Sequence, residues 1–137
     1  MLKAFIDTSV ILRLLVKDDD IKRKTVEKLL KEAKDKGITL YLLPVAIMET
    51  VFVLEKVYKI EKKKIKELLM AILNTPEIKI DMEDVFRKSL EVYEGKNIKF
   101  ADAVMGYWGL EKGFSTVYTY DEKDFKRIEG LEVRKPA

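Results

Sequence analysis

Leu2-Lys3-Ala4-Phe5-Ile6-Asp7-Thr8-Ser9-Val10 is the stretch that decides the fold. Leu2 to Ile6 is a short, mostly apolar run that reads as a strand, with Phe5-Ile6 in its buried part, and it stops at a carboxylate. Val10 to Val16 reads as a helix, for which Thr8 and Ser9 are natural caps. A strand that ends at Asp7 and turns into a helix puts that carboxylate at the carboxyl end of the strand. In open α/β sheets this is the edge where ligands bind.

The same logic runs through the rest of the 137 residues. Asp18-Asp19-Asp20 reads as a turn and N-cap cluster. It opens a helix that keeps Ile21, Val26, Leu29, Leu30 and Ala33 at helical spacing and ends at Gly37. Thr39 to Leu43 reads as a strand. Pro44 starts a helix to about Lys59, since proline suits the first turn. Glu61 to Leu73 is amphipathic, and Asn74-Thr75-Pro76 breaks it. A short strand over 77–80, a helix over 83–93 stopped by Gly95, and a helix over 100–111 stopped by Gly113 follow. Ser115 to Tyr120 reads as a strand, 121–128 as a helical turn, and 131–134 as a last strand. Strands alternating with helices predict right-handed βαβ units. The expected class is α/β, three layers α/β/α around a central parallel sheet, in a single domain over 1–137.

Composition removes whole classes of chemistry. Cysteine and histidine are both absent. Disulfides, thiolate zinc sites, cysteine nucleophiles, Ser-His triads and histidine bases are therefore excluded. Carboxylates without imidazole or thiolate suit hard cations such as Mg²⁺ or Mn²⁺. The net charge of +3 permits a nucleic-acid partner without requiring one. No apolar stretch reaches the length of a membrane span, and the first apolar run is broken by Asp7 and Arg13, unlike a signal peptide. A cytoplasmic protein is expected. Glutamine is absent while Lys and Glu are abundant, a bias of proteins from hot environments. A thermophilic source would give a thermal midpoint above the roughly 45–65 °C of mesophile domains.

Four dispersed acids are the candidates for chemistry. Asp7 also suits a helix cap. Glu49 lies in the 44–59 helix, which is apolar on almost every side, and a buried lone glutamate is costly unless paired or bound to a cation. The alternative is an outward-facing Glu49 near the helix start, where negative charge suits the dipole. Asp102 falls in the first turn of its helix among small apolar neighbours. Asp121 follows the 115–120 strand, where turn chemistry explains it equally well; Asp124 is a weaker candidate three residues on. Two of these acids end strands and two enter helices of the same expected sheet. Carboxylates held close together repel, and a divalent cation relieves that repulsion.

At these positions the sequence resembles the PIN-domain family, and within it the VapC-type toxins. The matching segments are Phe5-Ile6-Asp7-Thr8-Ser9-Val10, Glu49, Ala101-Asp102-Ala103, and Val117-Tyr118-Thr119-Tyr120-Asp121-Glu122-Lys123-Asp124-Phe125. The resemblance covers nearly the whole chain. It implies a Mg²⁺- or Mn²⁺-dependent endoribonuclease, the toxin of a type II toxin–antitoxin pair. Asp7, Glu49, Asp102 and Asp121 would be both the catalytic acids and the metal ligands, with Ser9 and Thr119 as supporting hydroxyls. Trp108 and Tyr107 depart from the pattern by being bulkier than expected, which touches the groove or a partner surface rather than the metal site.

The resemblance also implies an RNA substrate and a small antitoxin whose tail covers the groove. The over-apolar 44–59 helix predicts a homodimer, because a helix apolar all round needs covering on more than one side. Lys62, Lys63 and Lys64 are the candidate RNA contacts, although lysine-rich faces are ordinarily just solvated. Two other readings compete. One is a phosphatase or phosphotransferase with Asp7 as nucleophile, but the phosphatase pattern wants a second acid where Ser9 stands. The other is a non-catalytic or RNA-processing PIN scaffold, against which the presence of all four acids argues.

Overall fold

The computed structural model describes residues 2–137 and divides them into two compact units, the first ending at Asp81 and the second spanning Met82–Ala137. In the first, β1 (Leu2–Phe5) leads through α1 (Thr8–Leu15) and α2 (Asp20–Lys36) to β2 (Ile38–Leu42). Then α3 (Pro44–Lys56) and α4 (Lys62–Leu73) lead to β3 (Ile78–Ile80). The strands form one parallel sheet in the order β1-β2-β3, with Phe5 beside Tyr41 and Leu42 beside Ile80. Because the strands are parallel, α1 and α3 both depart from the carboxyl edge of the sheet.

Local chemistry explains the boundaries. Asp7 caps α1, accepting the Ser9 N–H at 3.4 Å and the Ser9 hydroxyl at 2.8 Å. Asp19 caps α2 through the Lys22 N–H at 3.0 Å, and Gly37 ends it in the left-handed conformation at φ 68°, where a side chain would be strained. Pro44 opens α3 as expected, but the helix closes at Lys56 rather than Lys59, and Lys59 itself adopts a left-handed φ of 54°. The core of this unit contains Ile11, Leu40, Leu42, Ile47, Val51, Leu54, Ile65 and Leu69.

Three burial expectations are corrected here. Ile6 is buried, but Phe5 is 70% exposed, because β1 is an edge strand and Phe5 alternates onto the uncovered side. In α2 only Val26 and Ala33 are buried, and Ile21 lies in solvent. In α3, Ile47, Thr50, Val51 and Leu54 are buried, while Val45, Glu49, Phe52 and Lys56 lie outward along one stripe.

The second unit contains α5 (Glu83–Gly95), α6 (Phe100–Glu111), β4 (Thr116–Tyr118), α7 (Glu122–Phe125) and β5 (Glu132–Arg134). Phe100 joins the two longer helices: its ring stacks on Phe86 at 6.4 Å and meets Tyr93 edge-on at 5.6 Å, arrangements that aromatic quadrupoles favour. Val92, Ile98, Ala103, Phe125 and Ile128 form a core, with Tyr107, Leu110 and Val117 packed against it. β4 and β5 pair in parallel, Tyr118 beside Arg134. The fold is therefore α/β, parallel sheet with flanking helices, as the sequence predicts.

Candidate active site

Asp7 follows β1 and is exposed, with its carboxylate tied to Ser9. The Ser9 hydroxyl first, then the Thr8 and Ser9 backbone, hold the carboxyl below its ordinary value. Asp7 is thus both a helix cap and an ionised, oriented oxygen donor at the carboxyl edge of the sheet. Glu49 lies in the second turn of α3 and is exposed. The expectation of a buried glutamate gives way to the outward-facing alternative, because α3 turns its 47–50–51–54 face to the core instead.

In the second unit the acids are closer company. Asp102 sits in the first turn of α6 and is half-buried. Its carboxyl is pushed above the ordinary value by burial first, then by the negative charges of Asp124 and Asp121, with Lys99 opposing. Asp124 is buried and accepts the Lys99 backbone N–H at 3.1 Å across 25 residues of chain. It therefore caps the start of α6 from α7, and its negative charge bears on the Asp102 carboxyl. Asp121 is exposed, and the Lys99 ammonium stands 3.7 Å from its Oδ2. Thr119 does not reach a carboxylate. Its hydroxyl accepts the Asp121 N–H at 2.9 Å and donates to the Asp121 carbonyl at 3.2 Å, so it shapes the turn that carries Asp121.

Among the described residues no three His, Cys, Asp or Glu side chains stand as a ready-made metal cage. The donor chemistry nevertheless fits a hard divalent cation: charged oxygens only, and like-charge crowding at Asp102 that a cation would relieve. One contributor escapes the sequence reading, Lys99 as a counter-charge, while Asp124, the weaker candidate there, is the buried organiser of the group. Tyr107 is partly buried against the core, and that burial raises its hydroxyl's pKa, with Glu129 adding to the effect. Lys62, Lys63 and Lys64 open α4, and Lys64 pairs with Glu67 at 3.7 Å.

The order of these elements is that of an α/β domain with a parallel sheet and flanking helices. The PIN domain model matches residues 4–131, and the chain belongs to the PIN domain family. A VapC ribonuclease of Aquifex aeolicus is 27% identical over 123 residues, 90% of each chain. Among solved structures, the sarcin-ricin loop cleaving toxin VapC20 of Mycobacterium tuberculosis aligns with 19% identity, 96% of this chain, 98% of that one and a TM-score of 0.42. VapBC2 of Rickettsia felis, bound to a DNA fragment from its promoter, aligns with 20% identity, all of both chains and a TM-score of 0.38.

Proposed function

We propose that this chain is a metal-dependent endoribonuclease of the VapC toxin type, acting as one domain over residues 1–137 on RNA in the cytoplasm. The observation that carries this reading is the family match over 4–131, which contains Asp7, Glu49, Asp102 and Asp121. The crowded carboxylates of the second unit support it independently.

In this reading the four acids hold Mg²⁺ or Mn²⁺. When bound, the ion supplies a water of lowered pKa and counter-charge for the phosphate oxygens. Ser9 fixes the Asp7 carboxylate in one orientation. Asp124 fixes the start of α6 and with it Asp102. Thr119 fixes the turn that presents Asp121. A free carboxylate of the set accepts the proton of the attacking water. Hydrolysis leaves a 5′-phosphate and a 3′-hydroxyl. The biological partners in this reading are a small antitoxin and a second copy of the chain, the latter seated on the outward stripe of α3.

Titration of Mn²⁺ by calorimetry, wild type against Asp7→Asn, tests the site without a guessed substrate. Binding that weakens at least about tenfold in the variant supports a carboxylate metal site, and a screen of RNAs for Mn²⁺-dependent cleavage follows. Equal binding by both proteins would remove Asp7 from the ligand set. RNA cleavage that survives Asp7→Asn would overturn the mechanism.

A further inference from the structure

Directly beside Asp121 the second unit exposes two large aromatic rings that no part of the proposed hydrolysis uses. Tyr118 ends β4 and is 63% exposed; Tyr120, one residue before Asp121, is 83% exposed. Val117 and Thr119, before and between them, are partly covered, so the chain alternates and puts both tyrosines outward. The turn is tied down. The Thr119 N–H extends the ladder to the Arg134 carbonyl at 2.9 Å, and the Thr119 hydroxyl closes on the Asp121 backbone. The rings are thus presented from a held backbone.

Cations stand among the acids around the rings, each in an exposed ion pair. Arg134 lies beside Tyr118 in the ladder, register partner to register partner. Its guanidinium bonds Glu132 through Nε at 2.9 Å and Nη2 at 2.6 Å, with both partners more than half exposed. An exposed pair of this kind is weak, so a phosphate can compete for the guanidinium. Lys99 stands at Asp121, and Lys123 and Lys135 belong to the same stretches of chain.

We propose that Tyr118 and Tyr120, with Arg134, form a stacking platform for unpaired RNA bases next to the scissile phosphate. Every base has a flat π face, and exposed aromatics on a strand take one base each while neighbouring cations hold the backbone. A duplex keeps its base faces stacked inside the helix, so the platform selects single-stranded segments, loops or ends. Tyr118 and Tyr120 are positioning residues: they place the strand and leave the chemistry to the acids. This inference rests on the ribonuclease reading and adds the residues of this chain that hold the strand.

Fluorescence anisotropy with a short labelled single-stranded RNA and its duplex, in EDTA, tests it alongside Mn²⁺-dependent cleavage of the same RNA. Wild type binds the single strand more tightly than the duplex. Tyr118→Ala/Tyr120→Ala loses at least about tenfold in affinity, by the stacking energies of single-strand binders, and raises KM for cleavage. Its salt dependence stays as in wild type, because the cations that meet the phosphates remain. Tyr118→Phe/Tyr120→Phe, which keeps the rings, binds as wild type does. If the alanine variant binds and cleaves like wild type while wild type is active, the platform is wrong and the ribonuclease reading stands. If wild type neither binds nor cleaves any RNA, the ribonuclease reading fails first and the platform with it; a wild type that binds a protein ligand and no RNA overturns both in the same way.

Discussion

Two carboxylates in this chain have opposite electrostatic settings, and each makes its own prediction. Asp7 is held below its ordinary value, chiefly by the Ser9 hydroxyl. Ser9→Ala leaves the charge in place but frees its orientation, and Mn²⁺ affinity falls by about 10- to 100-fold, as for outer-shell partners of metal ligands; calorimetry reads it, and unchanged affinity would make Ser9 only a cap. Asp102 is held above its ordinary value by burial, then by Asp124 and Asp121. The sign follows from linkage: a raised folded pKa contributes stability that is full below the unfolded value near 3.8 and is lost as pH rises through the folded one. At neutral pH, without metal, the ionised Asp102 therefore costs stability. Asp102→Asn melts higher than wild type at pH 7 in EDTA, and the gap closes as pH falls through the raised pKa. A variant that melts lower at pH 7 would show that Asp102 is needed ionised by its own neighbours.

At the scale of elements, outward residues carry the predictions. α3 presents Val45 and Phe52, 73% and 60% exposed, on either side of Glu49. Light scattering at micromolar concentration should find a homodimer, and Phe52→Glu should shift it to monomer; a monodisperse wild-type monomer would contradict the reading. On α4, replacing Lys62, Lys63 and Lys64 by alanine should flatten the salt dependence of RNA binding by roughly 0.7 in log–log slope for each phosphate that these lysines neutralise. An unchanged slope would leave that face merely solvated. Nearly every helix and strand was legible in the sequence to within a few residues, because caps, prolines and glycines are local signals: Asp7, Asp19, Gly37 and Pro44 all act where they stand. Burial was less legible. Phe5, Ile21 and Glu49 were misjudged because exposure depends on which side a neighbouring element covers. The cap that Asp124 provides to α6 spans 25 residues, and no local pattern announces it.

For the whole molecule the question is whether acids from the two halves of the chain serve one ion. The sequence puts Asp7 and Glu49 in one half and Asp102 and Asp121 in the other, and joins them through one expected sheet and through the family pattern. Thermodynamic linkage answers it without a substrate. An ion that binds only the folded chain stabilises it by about 2.7 kcal/mol at 100 times its Kd, roughly 8–13 °C in Tm for a chain of this size. Wild type should show that shift with Mn²⁺. Asp7→Asn and Asp102→Asn should each lose most of it, and the double variant should lose little more than either single one, since groups that act as a unit are non-additive. Additive losses would mean two independent weak sites, one in each half. In that case the shared quartet is wrong, even where each acid alone binds metal.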